Sequence, residues 1–188
     1  LSIMAIPACS NRKSDEGKDT NQKPEKVTTQ PQVSKSDYFQ AALNGDLNNV
    51  QKAMDEGIKV NATRQNGATA LMMASYNGHK KVAEYLLSQG ADVNRKDANQ
   101  RTALIYAASG NNPETVKLLI DEGASVDHTD KREQFTALMF AASEGQKEVV
   151  KILLNAGADK SIKDKDGETA LDFARKNGHS ETAALLSK

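Results

Sequence analysis

The triplet Thr-Ala-Leu occurs four times, at Thr69-Ala70-Leu71, Thr102-Ala103-Leu104, Thr136-Ala137-Leu138 and Thr169-Ala170-Leu171, with spacings of 33, 34 and 33 residues. A fixed period in this range marks a chain built from one supersecondary unit repeated along an axis. Gly57, Gly90, Gly123 and Gly157 keep the same register, and each closes an apolar run. The single longer spacing comes from one extra residue within Asp130–Phe135, which is expected to enlarge one projecting turn.

Each unit has its own physical logic. Thr before an apolar-periodic run is a helix N-cap, because its hydroxyl accepts a bond from an unpaired first-turn amide. The first helix is then expected to run from Ala70 to Asn77, and in the equivalent places of later units. Paired small residues, Ala107-Ala108 and Ala141-Ala142, leave room for a neighbouring helix. Gly45, Gly78, Gly145 and Gly178, with Asn111 in the third unit, supply a residue suited to the left-handed turn that reverses the chain. The returning helix carries apolar residues at helical spacing: Val82, Ala83, Leu86 and Leu87, then Val116, Leu119 and Ile120, then Val150, Leu153 and Leu154. One such helix pair cannot bury its apolar faces alone, so the units must stack. The absence of Trp and the presence of only four Tyr and four Phe fit a core of small aliphatic side chains.

These residues resemble the ankyrin repeat, whose pattern reads Asp-x-x-Gly-x-Thr-Pro-Leu-His-x-Ala-Ala, a Gly-His turn, a Val- and Leu-rich second helix, and Gly-Ala-Asp-Val-Asn. Gly78-His79, Gly178-His179, Gly90-Ala91-Asp92-Val93-Asn94 and Asp166-Gly167-Glu168-Thr169-Ala170-Leu171 match it almost letter for letter. The resemblance covers residues 36–188. It implies an all-α solenoid of about five stacked helix-turn-helix units with projecting β-turn or hairpin loops. The units span about 36–63, 64–96, 97–129, 130–163 and 164–188. Ala replaces the family's Pro in all four motifs, and Met72, Ile105, Met139 and Asp172 replace its His. The helix caps are therefore expected to persist without the family's Thr–His hydrogen bond. At the ends, Gln40, Asn49 and Lys52 replace Met73, Val82 and Tyr85, and Thr182 and Ser187 replace Val149 and Leu154. Polar outer faces suit terminal repeats, so a complete domain is the expectation.

By the same resemblance, the domain binds another protein on a concave surface of hairpin tips and first-helix faces. The implied contacts before the Thr motif are Gln65 and Asn66, then Asn99 and Arg101, then Arg132, Glu133 and Phe135, then Lys165, Asp166 and Glu168. At the first-helix ends they are Tyr76, Asn77, Ser109, Glu144 and Lys176. Aromatic residues and Arg are the stronger anchors of interfaces, which singles out Tyr76, Arg101, Arg132 and Phe135.

Other chemistries find little support. The 25 basic residues cancel the 25 acidic ones, removing the long-range positive field of a nucleic-acid binder. One cysteine excludes an internal disulfide and a multi-thiolate metal site. His79 and His179 occupy the Gly-His turn, and His128 stands by itself in a turn. Asp164-Lys165-Asp166-Gly167 resembles the start of a calcium loop, but Arg175 stands where the bidentate Glu is needed. No catalytic residue, metal site or cofactor is expected, and the domain is read as a monomer.

At the amino terminus, Ile6-Pro7-Ala8-Cys9-Ser10 resembles a bacterial lipobox, the end of a lipoprotein signal peptide truncated at its front. Residues 1–9 are read as that signal, with Cys9 as the lipid acceptor. Residues 10–35 are rich in Ser, Thr, Asn, Gln, Lys, Asp and Pro, and are expected to form a disordered tether spanning about 25–30 Å. A lipid-anchored or periplasmic binding module of the bacterial envelope is the leading expectation. An inhibitor or immunity-type protein that blocks a toxic enzyme, or a cytoplasmic scaffold, are its alternatives.

Overall fold

A computed structural model describes residues 33–188; Cys9, the signal read at 1–9 and most of the tether lie outside the described residues. Among the described residues the chain forms ten helices: α1 (Lys35–Asn44), α2 (Leu47–Asp55), α3 (Ala70–Tyr76), α4 (Lys80–Ser88), α5 (Ala103–Ser109), α6 (Pro113–Asp121), α7 (Ala137–Ser143), α8 (Lys147–Asn155), α9 (Ala170–Lys176) and α10 (Ser180–Leu186). The odd-numbered helices pack side by side in one layer and the even-numbered helices in a second. The expected solenoid of five helix pairs is the fold observed.

The first-helix layer is the more intimately packed, and its side chains explain why. Ala41, Ala74, Ala107, Ala141 and Ala174 share one register and are all buried, so neighbouring backbones approach closely. A Cβ built on Gly110 would collide with the Tyr76 carbonyl oxygen. Leu71, Leu104 and Leu138 from the first helices and Leu86, Leu119 and Leu153 from the second are all fully buried in one core. Burial of each such leucine contributes about 2 kcal/mol, and it is available only when a neighbouring unit covers it.

Local chemistry starts and stops the helices largely as the repeat dictates. The hydroxyls of Thr69, Thr136 and Thr169 accept bonds from the amides of Met72, Met139 and Asp172 at 3.3, 3.2 and 3.4 Å. Thr102 departs from the expectation: it has the same extended backbone, yet its buried hydroxyl has no partner. In the last unit the Asp172 carboxylate accepts from both the amide and the hydroxyl of Thr169, at 2.8 and 2.7 Å. A reciprocal brace thus returns at the position where the family's histidine is missing. The turn after the first helix places Gly78 at φ 70° and Asn111 at φ 57°, the left-handed conformation expected of both.

At the ends, one sequence expectation holds only in part. Ser34 caps α1 in a reciprocal box with Asp37, and the Val33 amide donates to Glu56 at 2.7 Å. The first helix begins at Lys35, beside the boundary read at about Ser36, with a capping signal that lies outside the repeat register. Gln40, Asn49, Lys52 and Ser187 are exposed, but Thr182 is buried. It shares its register with buried Val82, Thr115 and Val149, so it is a small core residue and not part of a polar outer face.

Polar side chains tie successive units together. The His79 Nε2–H donates to the Leu43 carbonyl at 2.8 Å, and that of His179 to the Ser143 carbonyl at 3.0 Å. Asn112 takes the equivalent place in the third unit, where its amide donates to the carbonyls of Ser75 and Tyr76 at 3.1 and 2.7 Å. The Gly-His histidines therefore have a bracing role.

Candidate functional site

The projecting turns are organised by buried carboxylates. Asp97 Oδ1 accepts the amides of Asn99 and Arg101, both at 2.8 Å, and its Oδ2 accepts the Tyr106 hydroxyl at 2.9 Å. Asp130 Oδ1 accepts the amides of Glu133 and Phe135, at 3.1 and 3.2 Å. Asp164 Oδ1 accepts those of Asp166 and Glu168, at 3.0 and 2.8 Å. The calcium-loop resemblance of Asp164 thus resolves into a carboxylate spent on its own turn. Arg64 stands in this register in the first turn, and there Asn66 substitutes by accepting the Ala68 amide at 3.2 Å.

Each turn is closed across its base by a backbone bond, such as Asp97 N to Arg101 O at 3.0 Å, and the only β-bridge among the described residues joins Thr63 and Thr69. Neighbouring turns are then bonded edge to edge. The amides of Ala98, Lys131 and Lys165 donate to the carbonyls of Asn66, Asn99 and Glu133, at 2.9, 2.8 and 3.1 Å. This ladder holds the tips of four turns in fixed succession, a pre-organised arrangement that lowers the ordering cost of binding.

Beneath the turns runs an aromatic strip. Met73, Tyr106, Phe140 and Phe173 share one position of successive first helices. The rings of Phe135 and Phe140 lie 5.3 Å apart, and those of Phe135 and Phe173 lie 4.8 Å apart. Tyr106 meets Tyr76 edge-on at 6.3 Å. Burial, reinforced by the bond to Asp97, pushes the Tyr106 hydroxyl up to about 12.

The residues expected to make contacts divide into two groups. Gln65, Asn66, Tyr76, Asn77, Asn99, Arg132, Glu144, Lys165, Asp166 and Lys176 are exposed, while Arg101, Ser109, Glu133, Phe135 and Glu168 are half-buried. Among the described residues, Tyr76 is the large hydrophobic residue left most open, at 47% exposure. Arg101 is held by Asp130, with its guanidinium 5.3 Å above Phe140. Phe135 sits among Phe140 and Phe173, so these two anchors form a fixed floor below the exposed side chains at the tips. Asn77 donates to the Leu43 carbonyl at 2.7 Å, Ser109 to the Tyr106 carbonyl at 2.9 Å, and Glu133 and Glu168 pair with Lys165 and Lys176. A groove of about 510 Å³ lies between Tyr76, Asn77, His79, Ser109, Gly110 and Asn112.

Sequence reasoning passed over Tyr106, Phe140 and Phe173, although their recurrence in one register was a signal that could have found them. It also passed over the inward roles of Asp97 and Asp130. Among the described residues, no three His, Cys, Asp or Glu side chains cluster as metal ligands. No helix among them is long and apolar enough to cross a membrane.

A family model described as ankyrin repeats (3 copies) matches residues 38–130 and 110–188. Comparison with curated proteins gives no match.

Proposed function

The chain belongs to the ankyrin-repeat family, and from that premise we propose that it binds a partner protein through the turns and first-helix face just described. The observation that carries this reading is the exposed Tyr76 beside a rigid strip of aromatic residues and hydrogen-bonded turn tips. An aromatic ring with one face open, seated on a fixed floor, gives apolar area at little entropic cost. The tips around it supply amide and charged groups for a polar rim. Affinity capture with the full-length protein tests this. Wild type should retain a defined partner that Tyr76→Ala/Arg132→Ala loses while keeping its melting temperature. Equal capture by both would remove this face from the proposal.

The proposal extends to location. Ile6-Pro7-Ala8-Cys9-Ser10 followed by a polar segment supports lipidation of Cys9, which would hold the domain at the surface of a bacterial envelope membrane. Stable anchoring takes more than one acyl chain, as a diacylated cysteine provides. Intact-mass analysis of the mature protein should show the acyl groups on Cys9, and Cys9→Ser should move the protein to the soluble fraction. An unmodified Cys9 in membrane-free extracts would contradict this location.

A further inference from the structure

At the tips of the second and third projecting turns the carboxylates point inward and the cations outward. Asp97 and Asp130 are buried and committed to turn amides, Tyr106 and Arg101. At the base of the turns, the exposed Asp92 and Asp127 are engaged by backbone, accepting the Asn94 and Asp159 amides. The cations of the same segments remain outside: Arg64, Arg95, Lys96, Lys131 and Arg132 are exposed and form no ion pair among the described residues. In the last turn the pattern ends, because Lys165 pairs with Glu133 and Lys176 with Glu168.

The backbone ladder from Asn66 through Ala98 and Asn99 to Lys131 keeps these cations on a fixed edge, one repeat apart. Arg64 Nη1 lies 3.7 Å from the Met73 sulfur, at the head of the aromatic strip. Cationic tips therefore border an apolar floor that includes the Tyr76–Tyr106 pair. We propose that the turns carrying Arg64, Lys96, Lys131 and Arg132, together with Tyr76, dock an acidic segment of the partner protein. This rests on the protein-binding reading and adds the partner's chemistry to it. Carboxylates form short, charge-assisted and often bidentate bonds to guanidinium groups. The chain has no net charge, so the attraction is local and acts within about 10 Å at ordinary salt. A short acidic peptide matches that range better than a nucleic acid, whose binding is driven by many phosphate contacts.

Fluorescence anisotropy with the full-length protein tests the assignment. The probes are a labelled peptide of alternating Glu and Tyr, the same peptide with Lys for Glu, a single-stranded oligonucleotide, and vesicles containing phosphatidylserine. The Glu/Tyr peptide should bind about tenfold more tightly than the Lys/Tyr peptide, with affinity falling as salt rises. Arg64→Gln/Arg132→Gln should weaken it about fivefold at unchanged melting temperature, and Lys117→Gln/Lys151→Gln on the second helices should not weaken it. No binding of the Glu/Tyr peptide, equal binding of both peptides, or tighter binding of the oligonucleotide or vesicles would overturn the proposal. Peptide binding lost in Tyr76→Ala but unchanged in Arg64→Gln/Arg132→Gln would overturn the acidic assignment while leaving the binding face standing.

Discussion

Arg101 reaches across a repeat boundary to Asp130, with Nε and Nη2 both 3.2 Å from one carboxylate oxygen. Among the described ion pairs, this alone has a fully buried carboxylate. The other oxygen of Asp130 holds the enlarged turn, and the guanidinium covers Phe140. One side chain thereby couples turn, aromatic strip and repeat interface.

Removing Arg101 leaves a buried carboxylate with its turn amides but without its cation. Arg101→Ala is expected to lower stability by about 2 kcal/mol, less than for a wholly buried pair because Arg101 retains some solvent contact. Asp130→Ala should cost more, about 3 kcal/mol, since two turn amides also lose their acceptor. Urea unfolding of the two single variants and the double variant measures both costs and their coupling. Additive losses would deny the interaction.

Gln100 and Gln134 adopt φ of 62° and 60° at the turn position where Gly67 and Gly167 stand in other units. A side chain there is strained by about 1 kcal/mol, part of which the unfolded-state freedom of glycine offsets. Gln100→Gly and Gln134→Gly should each raise stability by about 0.5 kcal/mol, read as a higher urea midpoint at constant slope. A fall in midpoint would show that the side chains hold their turns in place.

Gly110 and Gly90 separate crowding from conformation. At Gly110, φ is −87°, but the added methyl would meet the Tyr76 carbonyl. At Gly90, φ is 84° and the space is open. Gly110→Ala should cost about 3 kcal/mol by forcing two repeats apart, and Gly90→Ala about 1 kcal/mol. Thermal melts of both variants test the order, and a reversal would contradict the close first-helix packing.

Tyr106 titrates in the folded chain at about 12, above its ordinary 10. The folded state therefore holds this proton where the unfolded state has lost it. Its contribution is full below pH 10 and is lost as pH rises towards 12. Tyr106→Phe should unfold with a shallower decline over that window than wild type. It should also lose about 1 kcal/mol at neutral pH, where the Asp97 carboxylate gives up one donor. Identical alkaline declines would contradict the shifted hydroxyl.

The repeat, the helix pairs and most caps were legible in the sequence because each depends on chemistry within a few residues: Thr69 and the Met72 amide, or Gly78 and its own φ. What was not legible depends on stacking. Arg101 looked like an open anchor because nothing local shows that Asp130 lies within its reach. Phe135 was singled out as an anchor from its place in a polar turn, and only stacking brings Phe140 and Phe173 against it. The inward aspartates were hidden for a related reason: polar residues in a turn suggest solvent, and only the folded turn shows Asp97 gathering the amides around it.

Photo-crosslinking in the native cells tests the binding face most directly. A benzoyl-phenylalanine residue would replace Tyr76 or Arg132 on the turn and first-helix face, or Lys117 or Asn155 on the second-helix side. The account predicts one partner protein crosslinked from the positions of Tyr76 and Arg132 and absent from those of Lys117 and Asn155. Adducts to that partner from the second-helix positions alone would contradict it.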